Sequence, residues 1–281
     1  MKTVNKSITL ALCCLCMALT SCRSASTRVW VEDFNGSSLD TAVWSRIPRG
    51  NPEWCRNMSS DDRLYALEDG CLVLRAIVNP GLEGDDAPLL TGGIWTRGKK
   101  QFGLGRVEVR AKFEGAGGSW PAIWMMPDDE ETEDLSDPFW AEYGWYSHYG
   151  EIDICEKLNF DDFAYQTLHT SYTLKQGYND PYQEHGSTGG IDPEDFNVYA
   201  VEHYRDSIKM YINGVNTLTY KRIDFVPYGG EVTGREQWTF DRLFDLRLDM
   251  QVGGSWPGEP VLEDLPVKMW VDWVKFTPFE E

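Results

Sequence analysis

The sequence predicts an all-β fold, a sandwich of two antiparallel sheets, on three observations. From Val29 to Phe279, short runs of alternating apolar and polar residues recur between breaks at Gly, Pro, Asn and Asp. Nowhere does a 3.6-residue apolar period persist long enough for a helix of useful length. The 281 residues are 42% hydrophobic and 13% aromatic, enough for one large core, and sandwiches of this size are commonly single domains. Twelve Trp and thirteen Tyr exceed what that core requires, so part of the aromatic surface is expected to line a groove.

The strands are read in order. Val29 to Phe34 opens the ordered chain. Leu72–Ala76, Gly105–Ala111 and Val198–Glu202 alternate cleanly. Ser207–Ile212 followed by Asn213-Gly214 is the strongest hairpin signal in the chain, because both turn positions tolerate a left-handed backbone. Phe244–Val252 and Val267–Phe276 are the last long strands. Asp128 to Tyr149, acidic and then aromatic, reads as a long loop just before the most informative strand. No repeat, linker or low-complexity block divides the chain, so residues 29–281 are expected to form one domain.

Residues 1–21 read as a leader to be removed. Lys2 and Lys6 precede an apolar run, Ile8 to Leu19, and Leu19-Thr20-Ser21-Cys22 closes it. That run is too short to span a bilayer core of about 30 Å. Leu-Thr-Ser-Cys resembles a bacterial lipobox, which implies export, a lipid on Cys22 and attachment to an outer membrane, with residues 22–28 as a tether. Cys13, Cys14 and Cys16 belong to the leader. Cys55, Cys71 and Cys155 remain, an odd number without metal-ligand spacing, and a Cys55–Cys71 bridge is left open. Removing the leader's two lysines takes the net charge from −19 to −21. Such a field repels nucleic acid and anionic lipid and favours a neutral substrate. A monomer is expected.

Gly150-Glu151-Ile152-Asp153-Ile154-Cys155-Glu156 carries the chemistry. Alternation puts Glu151 and Asp153 on one face and Ile152 and Ile154 in the core, but would bury Glu156. A lone buried carboxylate is costly. A β-bulge at Ile154-Cys155 adds one residue to the count and returns Glu156 to the face of Glu151. Three acids on one strand face suit glycoside hydrolysis with retention, in which one carboxylate attacks the anomeric carbon and a protonated one delivers a proton to the leaving oxygen. Glu151 is assigned as nucleophile, Glu156 as general acid/base and Asp153 as the residue that orients Glu151. A solvated acidic edge or a calcium site is the bland alternative. Trp120 and Trp124 share strand parity and form candidate sugar platforms, and Trp145 is a candidate at the groove's rim. In Tyr165–Tyr172 the parity of Thr167, His169 and Ser171 is polar, so His169 is expected to face the cleft and bond substrate or Glu156. No pair among the four histidines has ligand spacing, and no catalytic metal is expected.

Glu-Ile-Asp-Ile-Cys-Glu resembles the bulged Glu-x-Asp-x-x-Glu signature of glycoside hydrolase family 16. Phe102–Phe113, Gly118–Pro127, His169-Thr170, Tyr199–Glu202, Gly253–Gly258 and Met269–Lys275 agree in order, so the resemblance covers roughly residues 29 to 277. It implies a jelly-roll sandwich with a substrate cleft across its concave face, and the same roles for Glu151, Asp153 and Glu156. It also places Trp124 beside the nucleophile on the non-reducing side of the cut and Trp256 on a loop over the cleft. A structural calcium on the convex face is implied at Glu32, the Gly70 carbonyl and Asp272, with oxygen-only ligands. Three departures from laminarinase-like members bear on substrate: Trp54–Ser59, the long loop from Asp128, and Lys157–Thr167, which looks more like endo-β-galactosidases acting on mucin-type O-glycans and poly-N-acetyllactosamine. The expectation is an endo-β-1,4-galactosidase. The alternatives are an endo-β-1,3(4)-glucanase, an agarase- or porphyranase-like enzyme, and a glycan-binding lipoprotein without activity.

Overall fold

A computed structural model describes residues 28–128, 150–223 and 234–280. The leader, Cys22 and nearly all of the loop from Asp128, including Trp140, Tyr143, Trp145 and Tyr146, lie outside the described residues. Sixteen strands are described: β1 Trp30–Glu32, β2 Ser45–Arg46, β3 Tyr65–Glu68, β4 Cys71–Val78, β5 Leu89–Thr91, β6 Gly93–Trp95, β7 Gly105–Phe113 and β8 Ser119–Pro127. There follow β9 Gly150–Glu156, β10 Phe163–Thr170, β11 Gly186–Gly190, β12 Asn197–His203, β13 Ser207–Ile212, β14 Val215–Lys221, β15 Phe244–Val252 and β16 Val267–Pro278. One sheet runs β14-β13-β12-β7-β16-β4-β3, with β1 on β16 and β5 on β4. The other runs β11-β10-β9-β8-β15-β6-β2. Every strand pair named in these two sheets is antiparallel. The all-β, two-sheet expectation holds.

Alternation builds the core. Val107, Val109, Ala111 and Phe113 of β7 point inward against Ile152 and Ile154 of β9, Ile123 and Met125 of β8, Leu246, Leu248 and Met250 of β15, and Met269 and Val271 of β16. The expected hairpin closes with Ile212 opposite Val215, and both Asn213 (φ 50°) and Gly214 (φ 80°) take the left-handed backbone that this turn requires.

The outcome departs from expectation in two places. Tyr165–Tyr172 is not strand throughout: β10 ends at Thr170, and Ser171 begins a short helix, α1 (Ser171–Lys175). Thr170 stops the strand because its hydroxyl accepts the Thr173 N–H at 3.1 Å while the Thr173 hydroxyl accepts the Thr170 N–H at 2.9 Å, a reciprocal cap. Ser171 is therefore buried in the helix start rather than facing a cleft. Cys55, Cys71 and Cys155 are all free and buried. Cys55 packs with Ile47 and Met58, whereas Cys71 heads β4, so no bridge joins them.

Candidate active site

The bulge in β9 shapes the site. Asp153 pairs with Thr167 and Glu156 with Tyr165, so Ile154 and Cys155 together oppose the single residue Gln166. On the other side, Asp153 and Cys155 pair with the consecutive residues Trp124 and Ile123. Both Ile154 and Cys155 join the core, and Glu151, Asp153 and Glu156 all line one cavity of about 550 Å³ on the outer face of the seven-stranded sheet. The extra residue predicted from the spacing is present where the spacing required it.

Burial sets the protonation of these acids. Asp153 is 3% exposed, and burial first, then the charge and hydrogen bond of Glu151, holds its carboxyl well above the usual range. Glu156 is 9% exposed. Burial, followed by the charge of Asp153, pushes its carboxyl well up too, opposed by a hydrogen bond from the Trp120 indole. That bond runs from Trp120 Nε1 to Glu156 Oε1 at 2.8 Å. A protonated Asp153 can donate a hydrogen bond to Glu151, and Glu156 is a carboxyl with a proton to give.

His169 stands on the face of the acids, next to Asp153 and Glu151, and its charge is also felt at Glu156. The register of β10 sets it opposite Glu151, and Glu156 lies opposite Tyr165, four residues or roughly 13 Å along the strand. Its Nε2 stands 3.3 Å from Asp153 Oδ2 and 4.0 Å from Glu151 Oε1. One atom each from Glu151, Asp153 and His169 lies within 4.8 Å of the others, a spread that would also suit a cation.

The tryptophans pair off, Trp54 with Trp124 and Trp120 with Trp256. Trp120 and Trp124 share a face, as parity required. Trp124 is only 6% exposed and is held on three sides: Nε1 donates to Asp249 Oδ2 at 2.7 Å, Trp54 meets it edge-on at 4.8 Å, and the Arg247 guanidinium lies 4.7 Å from its ring centroid. Trp256 is 45% exposed and sits edge-on to Trp120 (5.6 Å) and Tyr165 (4.9 Å). Glu53 ties its loop down, accepting from both the N–H and the hydroxyl of Ser255 at 2.8 Å.

Sequence reasoning missed Trp54, Trp95, Arg49, Arg97, Arg247 and Gln251, all of which line the cavity. A signal existed for part of this set. Asp245-Leu-Arg-Leu-Asp-Met-Gln251 in β15 alternates polar with apolar, yet all of these residues are buried. Leu246, Leu248 and Met250 fill the core, and the opposite face is a polar layer under the cleft. Arg247 Nε bonds Asp245 Oδ1 at 2.8 Å, and Gln251 donates to Asp249. Burial pushes Asp249 up to about 7 despite its two donors.

The candidate calcium ligands are otherwise engaged. Glu32 accepts from Phe34 N–H and Trp44 Nε1, each at 3.1 Å, and Asp272 is paired with Arg110. Gly70 turns the chain between β3 and β4 at φ 75°. With a guanidinium on Asp272, these three residues fit a calcium shell poorly.

A sandwich whose outer sheet face carries clustered acids on the floor of a tryptophan-walled groove defines a carbohydrate-active class of protein. The chain belongs to the glycosyl hydrolases of family 16, whose pattern matches residues 86–229. It is 36% identical over 253 residues to the keratan-sulfate endo-1,4-β-galactosidase of Sphingobacterium multivorum, covering 88% of this chain and 54% of that protein, so it spans about half of that relative's length. The X-ray structure of the laminarinase from Rhodothermus marinus is similar with a TM-score of 0.72 at 26% identity, over 90% of this chain and 97% of that one. A structure reported for endo-acting O-glycanases, by which prominent members of the human gut microbiota initiate mucin breakdown, is similar with a TM-score of 0.69 at 31% identity, over 89% and 99%.

Asp249 gives a pH test. Burial pushes its folded carboxyl up to about 7 from the ordinary 3.8, so the folded state holds the extra proton between those limits. Its contribution to stability is complete below about pH 4 and is lost as pH rises through 7. Asp249→Asn should therefore flatten part of the fall in Tm between pH 4 and 8, as followed by thermal denaturation. An unchanged slope would mean that Asp249 is ionised throughout.

Proposed function

We propose that the chain is a retaining endo-β-glycosidase, with Glu151 as nucleophile, Glu156 as acid/base and Asp153 as the residue orienting Glu151. The observation that carries this reading is the bulge, which gathers three carboxyls in one cleft and leaves Glu156 buried enough to stay protonated. In the first step, Glu151 bonds to the anomeric carbon as the glycosidic C–O bond breaks and the Glu156 proton passes to the leaving oxygen. In the second, water attacks that carbon, Glu156 takes the water's proton and Glu151 departs. Trp124 and Trp54 would flank the sugar on the nucleophile's side, and Trp120 and Trp256 that on the acid's side. Glu151→Gln and Glu156→Gln should each lower kcat by several orders of magnitude. With Glu156→Ala, azide should restore turnover of substrates with good leaving groups and yield a β-glycosyl azide by NMR. An α-azide would exchange the two roles. A glycan-binding protein without activity would bind glycan equally as wild type and as Glu151→Gln, with no turnover by either.

For the substrate we infer an endo-β-1,4-galactosidase acting on mucin-type O-glycans or poly-N-acetyllactosamine. Support comes from the 36% identical relative and from the likeness to the O-glycanase structure. Trp54 adds to it: this residue departs from the glucanase pattern and stands against Trp124 in the groove. The laminarinase likeness favours a β-1,3(4)-glucanase as the second reading. Assayed side by side, poly-N-acetyllactosamine or gastric mucin glycans should exceed laminarin and barley glucan by at least tenfold in kcat/KM. The reverse ranking would establish the glucanase.

Two further parts of the proposal lie away from the cleft. A lipid on Cys22 would anchor the exported protein, and labelled palmitate should enter the wild type but not Cys22→Ser. A calcium at Glu32, Gly70 and Asp272 would be structural and would have to displace Arg110. If it binds, chelation lowers Tm and leaves kcat unchanged at temperatures well below unfolding; an unmoved Tm removes it.

A further inference from the structure

We propose that Trp120 is a positioning residue that fixes the acidic proton of Glu156 on Oε2, the oxygen presented to the leaving group. This rests on Glu156 being the acid/base. An indole N–H can only donate, so the Glu156 oxygen it meets must accept. In a neutral carboxyl the carbonyl oxygen is the better acceptor, and the 2.8 Å bond from Trp120 Nε1 therefore makes Oε1 the carbonyl and leaves the proton to Oε2. Among the described residues no other hydrogen bond to Glu156 competes for it, and Glu156 lines the cavity.

The donor is held in place from several directions. Trp120 lies on β8 two residues before Ala122, the direct partner of Glu156 across the strands, and it is paired on its other side with Gln251 of β15. Its ring abuts Trp256 at 87°, Trp256 abuts Tyr165, and the Trp256 loop is pinned by Glu53 to Ser255. The indole cannot swing away without breaking that stack.

The same bond serves both half-reactions. When Oε2 gives its proton to the departing oxygen, negative charge develops over both carboxylate oxygens, and the indole N–H stabilises the share on Oε1. When Oε2 takes a proton from the attacking water, Oε1 returns to being a carbonyl, still bonded to the indole. Without the N–H, the proton can sit on either oxygen and the ionised form is less stable, so the carboxyl becomes a weaker acid.

Trp120→Phe removes the donor and keeps an aromatic ring, smaller than the indole, for packing. The basic limb of the pH profile of kcat/KM should move up by about one unit, since a hydrogen bond to a charged group is worth about 1.5 kcal/mol or more. kcat/KM on the natural glycan should fall about tenfold, and that loss should be largely absent from kcat/KM of a dinitrophenyl glycoside, whose first step needs no proton. In the wild type, the indole N–H resonance of Trp120 should titrate with the midpoint of that limb, a readout that depends on no variant folding. A limb that stays in place in Trp120→Phe, or an indole resonance that does not move, overturns the proposal. Glu156→Ala separates the two layers: if it loses kcat/KM equally on natural and dinitrophenyl substrates, the acid/base reading itself fails, whatever Trp120 does.

Discussion

The site depends on one extra residue in β9. A strand that obeyed strict alternation through Ile154 and Cys155 would send Glu156 into the apolar interior, where an ionised carboxylate has no compensating partner. With Ile154 and Cys155 both turned inward opposite a single neighbour, Glu156 returns to the cleft at a fixed distance along the strand from Glu151. The core loses nothing by this, since both bulge residues are fully buried and apolar. What the bulge creates is an electrostatic problem, three carboxyls close together beneath a protein surface that is itself strongly acidic.

Protonation eases the problem. Burial and mutual repulsion raise the carboxyls of Asp153 and Glu156 together, so the cluster need not carry three charges at neutral pH. Such a division of states is what acid–base chemistry near pH 7 uses: one carboxylate ionised, a neighbour holding a proton. His169 adjoins the Asp153 and Glu151 end, whereas the Trp120 indole adjoins Glu156, so the two halves of the cluster have different neighbours. A polar layer in β15 underlies the other wall. Asp245 with Arg247 and Asp249 with Gln251 form buried, hydrogen-bonded pairs, and such pairs in a low-dielectric interior hold their neighbours rigidly. Trp124, which rests on Arg247 and donates to Asp249, is thereby set in place before any sugar arrives.

Much of this was legible in the chain. The β alternation of Gly105–Phe113, the Asn213-Gly214 turn and the two long C-terminal strands are local patterns, and local patterns are written in neighbouring residues. The bulge could be inferred because the spacing of Glu151, Asp153 and Glu156 admits no other arrangement without a buried charge. His169 shows where such reasoning stops. Its parity placed it correctly on the cleft face, but which acid it meets is a matter of register between β9 and β10, and register is a relation between strands that parity within one strand does not contain. Ser171 was misplaced because a reciprocal Thr170–Thr173 cap ends the strand at that point.

The sequence alone determined the sandwich, its long strands and the face on which the β9 acids, Trp120 and Trp124 lie, because side-chain alternation and turn chemistry act over a few residues. Only the tertiary structure decided what those faces meet. Trp54 and Arg247 are almost 200 positions apart in the chain and share one groove wall with Trp124. Glu53 holds the loop of Trp256 across 202 positions. Cys55 and Cys71, close enough in sequence to suggest a bridge, pack in different places. These contacts form because closing two sheets on one core brings distant segments together, and the desolvation that follows gives Asp153, Glu156 and Asp249 their protonation, a property of the folded environment that no local pattern encodes.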